Sequence, residues 1–195
     1  MHPSEHPLPQ APISAGGQHG GAHPDALGAE AFDALFRDAA GDVHGYLISL
    51  LGDRATAEDV TALAFERLYR SRSRLDPKRG TPRAWLFAIA RNAALDELRG
   101  RRRRGTVDLV DERQGDSASV DALEDVERRA TVREALSVLP LRERELVLLK
   151  FHGQLSNGEL ARALGISESN AGTRLHRALT TLRSHCTGTP QEDAA

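Results

Sequence analysis

From residue 29 to residue 104, and again from about residue 120 to residue 184, the apolar side chains recur at helical spacing, and no stretch alternates as a half-buried strand would. Val43, Tyr46, Leu47, Leu50 and Leu51 fall at i, i+3, i+4, i+7 and i+8. That stripe can be buried only against another helix, so the pattern predicts an all-α fold. Phe32, Leu35 and Phe36 make a shorter stripe before it. Gly52-Asp53 interrupts the period, with Asp53 placed to cap a second helix carrying Ala57, Val60, Ala64, Phe65, Leu68 and Tyr69. Ser71 to Gly80 is rich in Ser and Arg and ends in Asp-Pro-Lys-Arg-Gly, which predicts a loop. Thr81-Pro82 restarts a helix, with the cap followed by proline at the first helical position. Trp85, Leu86, Ile89, Ala90 and Ala93 form its buried face, and it runs into Arg99 and Arg101–Arg104.

The period lapses over residues 105–120 and resumes near Val120. Val132, Leu136 and Leu139 lead to Pro140, which closes that helix. Helices are then predicted from Leu141 to Phe151, from Asn157 to Leu164, and from Glu168 to about Ser184. The expected architecture is two small helical domains, residues 29–104 and 131–187. An acidic flexible linker, 105–130, joins them. Residues 1–28, with His2, His6, His19 and His23, fit no metal-ligand spacing and read as a disordered extension; residues 188–195 read as a disordered tail.

Charge follows the same division. The 29–104 block carries net +4 and the 131–187 block +3, while 105–130 carries −5. Two basic modules with an acidic connector suit a polyanionic partner that the connector avoids. The apolar fraction of 39% includes only 4% aromatics, so the core must be Leu, Ala and Val. No apolar run approaches the ~18 residues of a membrane span. A single cysteine, Cys186, excludes an internal disulfide and fits a reducing, cytoplasmic setting. Phosphate-loop, zinc-protease and nucleophile-elbow motifs are missing from the sequence, so no cofactor and no catalytic residue is expected.

Two segments carry the chemistry. In residues 156–183 a short helix, a three-residue turn at Gly165-Ile166-Ser167 and a longer helix follow in order. Ala161 is small where the helices would cross, and Gly165 provides a permissive backbone four residues on. This is a helix-turn-helix, whose second helix enters the major groove. Its outer face would carry Ser169, Asn170, Thr173, Arg174, His176 and Arg177, residue types that read base edges or brace phosphates. The other segment is Trp85-Leu86-Phe87-Ala88-Ile89-Ala90-Arg91-Asn92 with the arginine run after it, a basic helix able to lie on a phosphate backbone. The Ser71–Gly80 loop beside it could receive an unstacked base.

These residues resemble the extracytoplasmic-function (ECF) group of the sigma-70 family of bacterial RNA polymerase sigma factors. Leu50-Leu51-Gly52-Asp53-Arg54-Ala55-Thr56-Ala57-Glu58-Asp59-Val60, Phe65–Arg70 and Trp85–Arg104 resemble the family's promoter-melting domain. Ala135–Ser167 and Arg174–Leu179 resemble its −35-reading domain. The resemblance implies that Glu58, Asp59, Val60 and Phe65 grip the clamp coiled coil of core RNA polymerase. It implies that Ser71, Arg74 and Leu75 belong to a loop capturing a −10 base, and that Asn92 lies near the point of strand separation. It implies further that Arg99, Arg101, Arg102 and Arg103 hold phosphates, and that Ser169, Asn170, Thr173, Arg174, His176 and Arg177 read the −35 element. Implied partners are core polymerase, through clamp and flap, and promoter DNA, with an anti-sigma factor between the domains as a regulatory partner and no insertion into a membrane.

The chain departs from that pattern at two places. Thr61, Ala62 and Leu63 stand where the family commonly has Gln and an acidic residue, which weakens the expected clamp contact. Gly172 stands where a basic residue is usual, which removes a DNA contact and costs about 1 kcal/mol of helix propensity relative to Ala. A stand-alone helix-turn-helix regulator would account for the C-terminal half but not for the Trp85–Arg104 helix or the acidic connector.

Overall fold

The computed structural model describes residues 27–105, 131–132 and 134–187. The N-terminal extension, the acidic connector and the C-terminal tail lie outside the described residues. Every regular element among the described residues is helical.

The first stripe is one helix, α1 (Ala29–Leu51), which runs straight through Gly41 and Gly45. Gly52 ends it in the left-handed region at φ 72°, donating its N–H to Ile48 O. Asp53 then caps α2 (Arg54–Ser71), accepting from Thr56 N at 3.1 Å and from the Thr56 hydroxyl. The hydroxyl bond from Thr56, joined by its backbone N–H and by Arg101, holds the Asp53 carboxyl below its ordinary range. Thr81 caps α3 (Pro82–Arg104) by accepting from Ala84 N at 3.2 Å. The three helices close around Tyr46, Leu47, Leu68, Leu86 and Phe87, all without solvent exposure.

The predicted loop between α2 and α3 contains two short 3₁₀ turns, Arg72–Arg74 and Pro77–Arg79. Leu75 between them is buried and pins the loop to the core. An edge-to-face cluster of Phe32, Phe36, Phe65 and Tyr69 packs the start of α1 on the end of α2. Arg72 stacks over Tyr69, 3.8 Å from the ring centroid.

The second unit begins with a helical segment over 134–137, then α4 (Leu141–Phe151), α5 (Asn157–Leu164) and α6 (Glu168–Thr187). Pro140 stands at the N-cap of α4, so it both closes one segment and opens the next. Ser156 and Glu159 form a reciprocal capping box at α5, and Gly165 at φ 68° ends that helix. Leu146, Leu149, Leu155 and Leu160 are the centre of this core, and Ala161, Ala171, Leu175 and Ala178 close the α5–α6 crossing. The last helix continues about three residues beyond its predicted end.

The two units pack on one another, α1 against α4 and α3 against α5. Arg83 of α3 donates to Gly153 O at 2.8 Å and to His152 O at 2.7 Å, and its guanidinium also pairs with Asp42 of α1. Glu159 accepts from Thr81 N at 3.2 Å and from its hydroxyl at 2.6 Å. A Cβ at Gly45 would lie 3.0 Å from Cε1 of His152, so the absence of a side chain there sets the approach of α1 to the end of α4. Burial pushes the His152 imidazole below its ordinary pKa, against the opposing pull of Asp42.

Candidate nucleic-acid and polymerase interfaces

On the first half of α6, after Glu168, the exposed residues are Ser169, Asn170, Thr173, His176 and Arg177. They fall at i, i+1, i+4, i+7 and i+8, a single face one to two side chains wide. The opposite face, Ala171, Leu175 and Ala178, is buried on α4 and α5. Ser167 caps the helix, its hydroxyl accepting from Asn170 N at 3.2 Å, so the reading helix presents an ordered N-terminal turn. Arg174 lies off this face. Its guanidinium pairs with Glu143 of α4 at 2.8 Å, with the two side chains 22% and 28% exposed. It anchors the reading helix to α4 instead of projecting from it. Gly172 faces Asn157 of α5, 3.6 Å from where its Cβ would be, so the position that lacks a basic side chain lies towards the paired helix.

On α3 a second face is formed by Asn92, Asp96, Arg99 and Arg103, spaced i, i+4, i+7 and i+11 and all exposed. The stripe is about 16 Å long at about 1.5 Å per residue. Arg102 is exposed beside it. Arg99 spends part of its charge on Asp96 at 2.6 Å. Arg101 points the other way: it bonds Leu51 O at 3.3 Å, Asp53 at 3.2 Å and the Thr56 hydroxyl at 2.6 Å, and pairs with Glu97. It ties the end of α3 to the α1–α2 corner, which corrects its reading as a phosphate ligand. The charge run therefore divides, with Arg102 and Arg103 outward and Arg101 inward.

In the loop, Arg74 is exposed, as are Lys78 and Arg79, two cations the sequence reading did not single out. Their signal was their adjacency before Gly80. Leu75 is buried and its side chain cannot meet a base, a second correction. The Ser71 hydroxyl bonds back to Arg67 O at 2.8 Å and serves the end of α2.

On α2 the predicted polymerase-gripping set also splits. Glu58 and Asp59 are exposed, and Glu58 is joined to Arg54 at 3.2 Å. Val60 and Phe65 are buried in the core and hold the helix in place without offering a surface. The exposed positions between and after them on α2 are Ala62, Glu66, Arg67, Tyr69 and Arg70.

A helical unit with a basic exposed face on α3, joined in one chain to a helix-turn-helix, fits the class of transcription-initiation proteins. Comparison with known families gives the same answer. Residues 35–104 match sigma-70 region 2, and residues 129–182 match sigma-70 region 4. The ECF RNA polymerase sigma factor SigL of Mycobacterium tuberculosis is 31% identical over 77% of this chain and 85% of its own length. The RNA polymerase sigma factor CarQ of Myxococcus xanthus is 35% identical over 79% and 88%. The fold is that of the sigma factor RpoE of Bartonella quintana solved with the anti-sigma factor NepR, at TM-score 0.64 and 21% identity over 82% of this chain and 98% of that one. The chain belongs to the ECF RNA polymerase sigma factors. No helix among the described residues is long and apolar enough to cross a membrane.

Proposed function

We propose that this sigma factor meets core polymerase through the exposed side of α2 around Glu58 and Asp59, melts the −10 element on α3, and reads the −35 element with α6. The observation that carries the reading is the single exposed face of α6, where Ser169, Asn170, Thr173, His176 and Arg177 project from a helix whose other side is buried. A major groove admits one such helix, and these side chains are the ones that reach base edges and flanking phosphates. On α3, Asn92 stands one turn before Asp96 and about three turns before Arg103, so phosphates upstream would hold duplex against the end of the helix while Asn92 meets the opening strand. Nothing in this scheme is hydrolytic; melting comes from capture of single-stranded bases near Arg74, Lys78 and Arg79. An anti-sigma factor between the two units is the expected inhibitory partner, as an anti-sigma factor is bound in the structural neighbour.

The test is reconstitution. Purified protein is mixed with sigma-free core polymerase and a genomic fragment library, and the run-off transcripts are sequenced. Discrete start sites sharing two upstream elements are expected. DNA binding that is unaffected by core polymerase, with no initiation, would instead make this a stand-alone regulator.

A further inference from the structure

An aromatic strip runs along the edge where α1 meets α2, and the described residues leave it uncovered. Ala62, Phe65 and Tyr69 fall at i, i+3 and i+7 on α2, so they share one face. Phe65 is buried, and Phe36 of α1 packs on it with ring centroids 4.8 Å apart. Phe36 is itself 48% exposed and Tyr69 44%. Phe32 joins the cluster, 5.1 Å from the Tyr69 ring. Arg72 closes one end, with its guanidinium stacked on Tyr69 and its Nη1 donating to Tyr69 O at 2.8 Å. From Ala62 to Tyr69 the strip is about 10 Å long at about 1.5 Å per residue. Single exposed apolar residues are ordinary, but two half-exposed rings in one cluster mark a contact surface.

The chain brings its own ligand to this strip. Leu27 N donates to Arg72 O at 3.4 Å, so the residues before it enter the fold beside Tyr69. Those residues include Pro3, Pro7, Pro9 and Pro12. Pro9-Gln10-Ala11-Pro12, between Leu8 and Ile13, is a P-x-x-P segment, the type that docks on aromatic-lined surfaces as a preformed polyproline helix. Residues 14–26, which join it to Leu27, include Gly16, Gly17, Gly20 and Gly21, the composition of a linker. They reach up to about 45 Å at about 3.5 Å per residue, several times the length of the strip. Residues 1–26 carry Glu5 and Asp25 and neither Lys nor Arg, whereas Arg70, Arg72 and Arg74 stand at the end of the strip. Opposite charge therefore favours the approach.

We propose that residues 7–13 of this chain lie on the Phe36–Tyr69 strip in the free protein, as an internal ligand of the polyproline type. Glu58 and Asp59 lie one turn before Ala62, so the contact also shields the surface offered to core polymerase. This second step rests on the assignment of α2 to polymerase. A tether of this length holds the segment at an effective concentration of about 1 mM. At that concentration even an intrinsic Kd of about 0.1 mM keeps the strip covered about nine-tenths of the time. Polymerase then meets an uncovered strip in about one molecule in ten, and its apparent affinity falls about tenfold.

The experiment uses the full chain. A nitroxide is placed on Ser14→Cys, with Cys186→Ser removing the native thiol, and the backbone amide signals are read by NMR. Broadening at Phe36, Ala62 and Tyr69 is expected. It should fall when Pro9→Ala and Pro12→Ala are combined, and in Tyr69→Leu, which keeps bulk and loses the ring. Equal broadening with and without the two prolines overturns the docking. So does broadening that appears only when a spin-labelled chain is mixed with an isotope-labelled one, because the strip would then hold a second copy. Affinity for core polymerase is titrated by anisotropy on the same variants. The double proline variant is expected to bind about tenfold tighter. An unchanged affinity, in a chain whose core binding is lost with Asp59→Arg, overturns the shielding while the α2 assignment stands. Asp59→Arg that leaves core binding intact removes the α2 assignment instead, and the broadening alone then decides the docking.

Discussion

Arg174 and Arg177 are three positions apart on the exposed side of the sequence pattern, yet the structure gives them different work. Arg174 pairs with Glu143 at 2.8 Å across α6 and α4, with about a quarter of each side chain exposed. Exposed pairs are worth about 0–1 kcal/mol, and breaking a fully buried pair costs about 3–5 kcal/mol. At this intermediate burial, Arg174→Ala is expected to destabilise the C-terminal unit by about 1–2 kcal/mol. Arg177 is exposed, and Arg177→Ala should leave stability within about 0.5 kcal/mol. Its effect falls on DNA instead, at about 1–3 kcal/mol, or roughly 5- to 150-fold in affinity for a −35 duplex. Urea unfolding and anisotropy titration of the same samples separate the two. Glu143→Ala is the decisive companion, since a carboxylate on α4 gains nothing from phosphate. If Arg174 acts by positioning the helix, Glu143→Ala reproduces its loss, and the double-mutant cycle shows a coupling of about 1 kcal/mol. Arg174→Ala with unaltered stability, affinity reduced as far as in Arg177→Ala, and no coupling to Glu143 would refute this reasoning.

Two further outcomes follow from the geometry. Asn92→Ala should spare binding to a −35 duplex and impair open-complex formation, measured by permanganate footprinting; equal loss of both would remove Asn92 from the melting step. Partial burial pushes the Glu159 carboxyl up, but hydrogen bonds from Thr81 and Ser156 outweigh it and bring it from 4.5 down to about 2. A carboxyl lower in the folded state stabilises that state above its unfolded pKa, and the gain is lost as pH falls from about 4.5 through about 2. Thr81→Ala should therefore raise the Glu159 pKa, read from its side-chain carbon shift in an NMR titration. An unchanged value would mean that the Thr81 bond does not form in solution.

The helices themselves were legible because their signals are local. Asp53, Thr81 and Ser156 announce helix starts through side chains that reach two or three residues along the chain, and Gly52 and Gly165 mark ends that need a left-handed backbone. The exposed face of α6 was legible for the same reason, since a 3.6-residue period places Asn170, Thr173 and Arg177 together without reference to any other helix. Membership of a sigma family rested on motifs that are continuous in the sequence.

What needed the folded molecule was the destination of each charge. Arg101, Arg102 and Arg103 are adjacent and alike, and only the α1–α2 corner within reach of Arg101 turns it inward. Val60 and Phe65 sit in a stretch that resembles a polymerase-gripping surface, but helical rotation puts them under the exposed Glu58 and Asp59. Nothing in Leu141–Phe151 marks Glu145 as buried and paired; only the fold sets Arg91, 54 residues earlier, against it. Backbone conformation depends on neighbours a few residues away, so one sequence contains it. The partner of a guanidinium or a carboxylate depends on which helix packs alongside, and that is settled only when the tertiary structure brings distant residues within 3 Å.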